Sequence, residues 1–336
     1  MGTNVSTTDL KARMEAMEEM VTGKKPAADT SAIEKLKAED YLKAFWNHMH
    51  TGEIVNELKE GSDGKGGYLV PPTVEKKLVE GLKNENIFRK ISTIVETDHD
   101  LRIPVAFSDA VGDWIEEGGE ITFTDTAFGQ VKLSAHKLYV ALLVSEELLD
   151  DAGVDLEEYI NKIFSEAIGE TEEEAFVSGD GNGKPNGILN QAEEGVVSSV
   201  DGSLTMDDVV SLIHSVKAPY RKEGVLVMSE DAYTTLQKLK FYDGKPAWRS
   251  SMVEGEPETL LGCKVYVSDF MPPVESGNKP ILFGDFKYYW IGDRGKRKMK
   301  RLSERYADQG LVGFVASQRM DAVLVVPEAV KTMTIK

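Results

Sequence analysis

Cysteine is almost absent. Cys263 is the only one in 336 residues, so no disulfide can form within the chain, and a reducing compartment is implied. Flanked by Gly262 and Lys264, it reads as a strand residue rather than a nucleophile. Long apolar runs are missing as well. The longest, Leu138 to Val144, is strand-sized and falls far short of the roughly 20 residues of a membrane span. No apolar signal-peptide core opens the chain. The expectation is a soluble protein that stays or assembles in a cytosol, without a membrane partner. Histidine is scarce, with His48, His50, His99, His136 and His214. None is spaced from a second His or Cys as a helical metal site requires, and His48 and His50 point apart on a helix. No nucleophile-elbow pattern occurs. Cations are outnumbered, 39 Lys and Arg against 57 Asp and Glu, for a formal net charge of −18. Such a chain does not wrap nucleic acid, which needs clustered cations. It would repel DNA, or the acidity serves solubility alone.

What is present is enough apolar residue, 41%, for a sizeable core and one large or two to three smaller domains. In residues 1–59, Leu10, Met14, Met17 and Val21 recur at helical spacing. After the break at Gly23 to Pro26 a second helical stretch carries Ile33, Leu36, Tyr41, Phe45 and Met49 on one face. Short helices are marginal alone in water. These two need each other or a neighbouring copy, or they form a loosely docked extension. Gly61-Ser-Asp-Gly-Lys-Gly-Gly67 is a flexible joint by composition. A helix is expected over Val74 to Asn84. Residues 87–144 read as β, with Ile91, Ile94 and Val95 first. Leu101 to Val105 follows, demoted to an edge by Pro104. An acidic tip at Asp113 to Glu120 and alternation around Ile121 to Ala135 suggest a long hairpin with little core of its own.

The clearest element is a helix over 155–177. Asp155 is a good N-cap, and Glu158 follows three residues later as in a capping box. Leu156, Tyr159, Ile160, Ile163, Phe164, Ala167, Ile168, Thr171, Ala175 and Phe176 share one face. At ~1.5 Å per residue it spans about 35 Å. Between Glu146 and Asp180 stand thirteen acids against one base, Lys162. Beyond it, helices over Met206 to Val216 and Ala232 to Leu239, capped by Thr205 and Ser229, alternate with strands at 225–228, 265–267, 281–283 and 288–291. Residues 311–326 alternate again and end at Pro327.

Several motifs invite chemistry and do not support it. Gly179-Asp-Gly-Asn-Gly-Lys184 is too short for a phosphate loop, and Pro185 stands where Ser or Thr would hold magnesium. As a calcium loop it has Gln191 at the twelfth position instead of Glu. It reads as a helix-to-strand turn. Glu116-Glu117, Glu146-Glu147 and Glu172-Glu173-Glu174 are adjacent acids that do not face each other, so solvated faces are expected rather than acid/base pairs. Arg294 to Arg301 holds six cations in eight residues. DNA contact is one reading, and pairing with an acidic surface of a neighbouring copy is the other.

The order of segments resembles one family. Its marks are Gly66-Gly-Tyr-Leu-Val-Pro71, the Trp114 to Phe123 tip, Ser145-Glu-Glu-Leu-Leu-Asp150 before the long helix, and Gly179-Asp-Gly with Asn186-Gly-Ile-Leu189. Together they resemble the major capsid proteins of tailed double-stranded DNA bacteriophages. That resemblance implies an α+β, Hong Kong 97-type capsid fold. A helical, scaffold-like region would occupy 1–59, an N-arm 60–99 and an extended β-hairpin loop 100–135. A peripheral domain with the long spine helix would take 136–190 and 305–336, and an axial domain 191–304. It implies assembly without catalytic, cofactor or metal residues: hexamers and pentamers of an icosahedral shell, alongside a portal protein and a prohead protease. DNA would be enclosed without sequence-specific binding, in a virion built in the bacterial cytoplasm. Trp114, Glu116, Glu117 and Glu120 would form the assembly-loop tip. Lys296, Arg297, Lys298, Lys300 and Arg301 would form a basic patch between subunits. Processing would fall near Lys59 and Glu60. Isopeptide cross-links, which some members make from a loop Lys to a late Asn aided by a Glu, are not expected. The tip has no Lys, no Asn follows Asn278, and Gly310 and Ser317 stand near the matching positions. The alternative on the same fold is an encapsulin-like cellular nanocompartment. An acidic, carboxylate-based hydrolase is the rival from another class, and no residue set supports it.

Overall fold

The computed structural model describes residues 30–55, 58, 68–106, 128–150, 155–240, 248 and 258–336, with side chains from residue 39 on, Ala106, Phe128 and Asp150 excepted. The principal helices are α1 (Thr30–Thr51), α2 (Pro72–Glu85), α3 (Ile87–Ile91), α4 (Leu156–Ser178), α5 (Met206–Ser215) and α6 (Glu230–Lys238). The strands are β1 (Tyr68–Leu69), β2 (Thr93–Thr97), β3 (Leu101–Ala106), β4 (Phe128–Leu133), β5 (His136–Ser145), β6 (Glu193–Val197) and β7 (Val225–Met228). After them come β8 (Thr259–Leu260), β9 (Cys263–Val267), β10 (Ile281–Gly284), β11 (Tyr289–Arg294), β12 (Lys298–Leu302), β13 (Leu311–Leu324) and β14 (Val330–Thr334). Helices and sheets mix without a regular βαβ repeat, the α+β class expected.

The long helix forms where its cap and periodicity place it. The Asp155 carboxylate accepts the Glu158 backbone N–H at 3.1 Å, a contact that stabilises a helix start by about 1 kcal/mol. Leu156, Ile160, Phe164, Ile168 and Phe176 are buried, while Tyr159 is 39% exposed. Helix α2 lies across α4, and a glycine on each permits the approach. A Cβ at Gly81 would sit 2.5 Å from the Ser165 hydroxyl oxygen, and one at Gly169 would sit 2.9 Å from the Glu85 Cβ. Ile91 ends α3 instead of opening a strand. Asn86 caps that helix, its side chain accepting the Arg89 N–H at 3.2 Å, and β2 starts two residues later than read from the sequence.

Two six-stranded sheets carry the molecule. In the first, β13 is central. It pairs antiparallel with β5 over 311–320, with β12 over 313–317 and with β11 over 320–324. Strand β1 extends the sheet beyond β12, and β2 pairs parallel with β11. The second sheet runs β6-β14-β10-β7-β9-β8, flanked by α5 and α6. Strands β3 and β4 form a separate two-stranded ladder in which Pro104 faces Gln130, the edge position a residue without an N–H requires. Sheet membership departs from the expected division of domains. Strands β11 and β12, placed in the axial part, belong to the first sheet, and β14, placed in the peripheral part, belongs to the second. Pro327 explains the second shift. The β13 ladder ends at Leu324, one 3-10 turn over Pro327–Ala329 redirects the chain, and Met333 and Ile335 then join the core of the second sheet.

The cores follow from this. One lies between α1, α2, α4 and the inner face of the first sheet. A second fills the space between α5, α6 and the second sheet. An aromatic cluster joins them, with Phe88 edge-on to Phe176 at 6.2 Å, Phe286 at 5.9 Å and Tyr289 at 5.8 Å.

Candidate assembly surface and its buried charge network

Above the aromatic cluster sits a set of buried ions. Arg89 on α3 forks two carboxylates. It donates to Glu172 on α4 at 2.5 and 2.7 Å and to Asp293 on β11 at 3.0 and 2.9 Å. Arg297 donates to Asp293 at 3.1 Å, to Gln318 on β13 at 2.7 Å and to Glu75 on α2 at 3.4 Å. The Gln318 amide donates to Glu172 and closes the ring. Burial alone would raise the Asp293 carboxyl, but Arg89 and Arg297 bring it below its ordinary value. Five elements are tied at one point.

The neighbouring acid faces the other sheet. Glu173 accepts the Ile87 backbone N–H at 2.9 Å and the Ser268 hydroxyl at 2.5 Å. Ser268 follows β9, so this single carboxylate joins the arm helix α3, the long helix and the second sheet. Burial pushes its pKa up, against the pull of both hydrogen bonds. The expectation of solvated faces fails at Glu172 and Glu173, which are 1% and 4% exposed. The sequence did carry a signal. Glu172 lies four residues from both Ile168 and Phe176, on the apolar stripe.

The basic run is divided by strand alternation. Arg297 and Arg301 point to the inner face of the first sheet. Arg297 is consumed by the network, and Arg301 donates to the carbonyls of Met49 at 3.1 Å and His50 at 3.4 Å. Both guanidiniums are engaged within the subunit. Lys296 is exposed, and Lys298 and Lys300 are half-buried on the outer face. Arg294 pairs with Asp100, which Lys132 and Arg294 together bring down to about 2.

The outer face of the first sheet is covered by β3 and β4 beside β11 and is exposed along β5. Along β5, Lys137, Tyr139, Ala141 and Leu143 are exposed, Tyr139 by 67% and Leu143 by 48%. Their β13 partners are Arg319, Ser317, Val315 and Gly313. The result is an apolar stripe on a strand with one neighbour among the described residues, the kind of surface that marks association.

Other sequence motifs resolve plainly. Residues 179–187 form a turn, with Asp180 bridged to Asn186. Cys263 is half-buried, and burial pushes its thiol up, which makes it a poor nucleophile. Among the described residues no cluster of His, Cys, Asp or Glu could hold a metal ion, and no helix is long and apolar enough to cross a membrane. Trp114, Glu116, Glu117 and Glu120 of the tip lie outside the described residues, as do Lys59 and Glu60.

Comparison with known proteins gives one picture. The family model described as the phage capsid family matches residues 66–335. The major capsid protein of Klebsiella oxytoca phage phiKO2 is 24% identical over 251 residues, covering 70% of this chain and 58% of that protein. The major capsid protein of Escherichia phage T5 is 29% identical over 157 residues, 44% of this chain and 34% of that protein. The chain thus spans less than two thirds of these curated relatives. Among solved structures, the capsid of a native GTA particle superposes with a TM-score of 0.65 at 26% identity, covering 74% of this chain and 89% of that one.

Proposed function

The chain belongs to the phage capsid family, with the Hong Kong 97-type fold, and from that premise we propose that it is the major shell subunit of a tailed phage or prophage. Hexamers and pentamers of the chain close an icosahedral shell around double-stranded DNA. The observation that carries this is the family match over 66–335, joined to the likeness of the fold to a GTA particle's capsid along 89% of that chain. The work is structural rather than catalytic. Individual contacts can be weak, because leaving a closed shell requires several to break at once. A net charge of −18 suits a wall that holds DNA without gripping it. A portal protein and a prohead protease are the partners this role implies, with assembly in the host cytoplasm. Negative-stain electron microscopy of the purified full chain tests the reading. Closed shells, or rings of five and six, are expected. A monodisperse monomer at every concentration and salt tried would overturn self-assembly as its function.

A further inference from the structure

The N-terminal segment that precedes the family match is built into the subunit. Phe45, Met49 and Leu58 are completely buried, and Trp46 is 9% exposed. They share one core with Phe314 and Met299 of the first sheet's inner face. The polar contacts are as specific as the packing. The Tyr41 hydroxyl donates to the Leu69 carbonyl at 2.8 Å, and the His48 ring stands edge-on to Tyr68 at 4.7 Å. Helix α1 ends at Gly52, whose φ of +83° is the left-handed conformation glycine adopts freely. Arg301 then donates to the carbonyls of Met49 and His50, satisfying groups a helix end leaves unpaired, with a cation where the helix dipole favours one. A Cβ at Gly52 would come within 2.6 Å of that guanidinium. The sheet therefore holds a socket shaped for this helix end.

We infer that residues 40–55, together with Leu58, are a permanent strap of the subunit. When the chain is cut between Leu58 and Tyr68, the upstream piece stays seated on the first sheet and enters the shell with the rest. Only the last clause rests on the shell reading; the seating stands on burial and hydrogen bonds within one chain. The reason is physical. Releasing the piece would break up the core it shares with Met299 and Phe314 and leave the Arg301 guanidinium without its Met49 and His50 acceptors. A cut between Leu58 and Tyr68 breaks none of these contacts.

The test uses the full chain with a site-specific protease sequence inserted between Gly61 and Gly64. Complete cutting is confirmed on a denaturing gel, and the product is passed through a sizing column under native conditions. The piece is expected to elute with the body at one to one by intact mass. Phe45→Ala with Met49→Ala should raise its loss at least about tenfold, since each truncation removes a buried side chain. Should that pair fail to fold uncut, Tyr41→Phe with Arg301→Gln, which removes hydrogen bonds and one charge but no apolar side chain, should raise the loss severalfold. A wild-type body that elutes or precipitates without the piece overturns the strap, and so does a piece whose retention ignores these substitutions. Shell formation by the uncut chain is scored separately. Its absence counts against the capsid reading and leaves the strap readable on the monomer.

Discussion

Arg89 is the residue on which most of the molecule's buried charge pairing converges. It is held by Glu172 and Asp293 together, and its own side chain is 1% exposed. Removing one member of a buried ionic set leaves the others unpaired in a medium that cannot solvate them, at a cost of about 3–5 kcal/mol. Arg89→Ala should therefore lower the urea midpoint steeply. Lys77→Ala, which breaks a pairing with Glu157 at the surface, should shift stability by no more than about 1 kcal/mol. Glu173 behaves differently. Its folded pKa lies above the ordinary 4.5, so the folded state holds the proton more tightly than the unfolded one. Below about pH 4.5 the group is neutral in both states and costs nothing. As pH rises from about 4.5 toward the folded value, the unfolded state loses its proton first and the fold is progressively destabilised, and the cost levels off above the folded value. Glu173→Gln keeps an acceptor for Ile87 N–H, and the Ser268 hydroxyl can turn to meet the amide. Its stability relative to the parent should rise from pH 4.5 to pH 8. A difference that stays flat across that range in urea titrations would show that the folded-state pKa of Glu173 is not raised. At this scale the sequence was only partly legible. Acid next to acid reads as solvated surface, and only the i, i+4 phase with Ile168 and Phe176 separates Glu172 from that reading. The basic partner, Arg89, is 83 residues distant, beyond any local pattern.

Among the elements, those with their own caps and periodicity were legible. Asp155, Thr205 and Ser229 each cap the helix that follows, and β13 ends where Pro327 approaches. What pairs with what was less so. That β14 crosses to the second sheet depends on a single 3-10 turn. That Arg301 serves α1 depends on the two meeting across a sequence separation of 252 residues. Helix α1 shows how a local signal and a distant one combine. Histidines and a glycine at its end look like an ordinary helix stop, and the socket on β12 converts that stop into a docking site. Gly52→Ala tests the element directly. It forces a Cβ into the left-handed region, costing about 1–2 kcal/mol, and presses it against the Arg301 guanidinium. Global stability should fall by at least that amount, read from urea unfolding. A neutral result would mean that the helix end is not seated on Arg301.

Across the whole molecule, the order of segments made the class of fold and the family legible, while the surface through which copies meet was not. The basic run looks continuous in sequence, and strand alternation splits it, turning Arg297 and Arg301 inward to hold the subunit together. The absence of a Lys from the loop tip and of an Asn after Asn278 argues that contacts between copies stay noncovalent, so denaturing gels of assembled particles should show single subunits without a ladder. Those contacts must then come from surface left open by folding. On the first sheet that surface is the Tyr139 and Leu143 stripe, 67% and 48% exposed on a strand paired along one edge among the described residues. Exposed side chains contribute little to the fold, so Tyr139→Asp with Leu143→Asp should change subunit stability by no more than about 0.5 kcal/mol per site. The same pair places two charges where a neighbouring copy would have to desolvate them, a cost of several kcal/mol at each contact unless paired. Repeated around a closed shell, that cost prevents assembly even if one contact could tolerate it. The double variant should remain a folded subunit by urea titration and form no shells by electron microscopy under conditions where the parent does. Shells of normal yield from the variant would place the subunit contacts elsewhere and leave this stripe as solvent-facing surface.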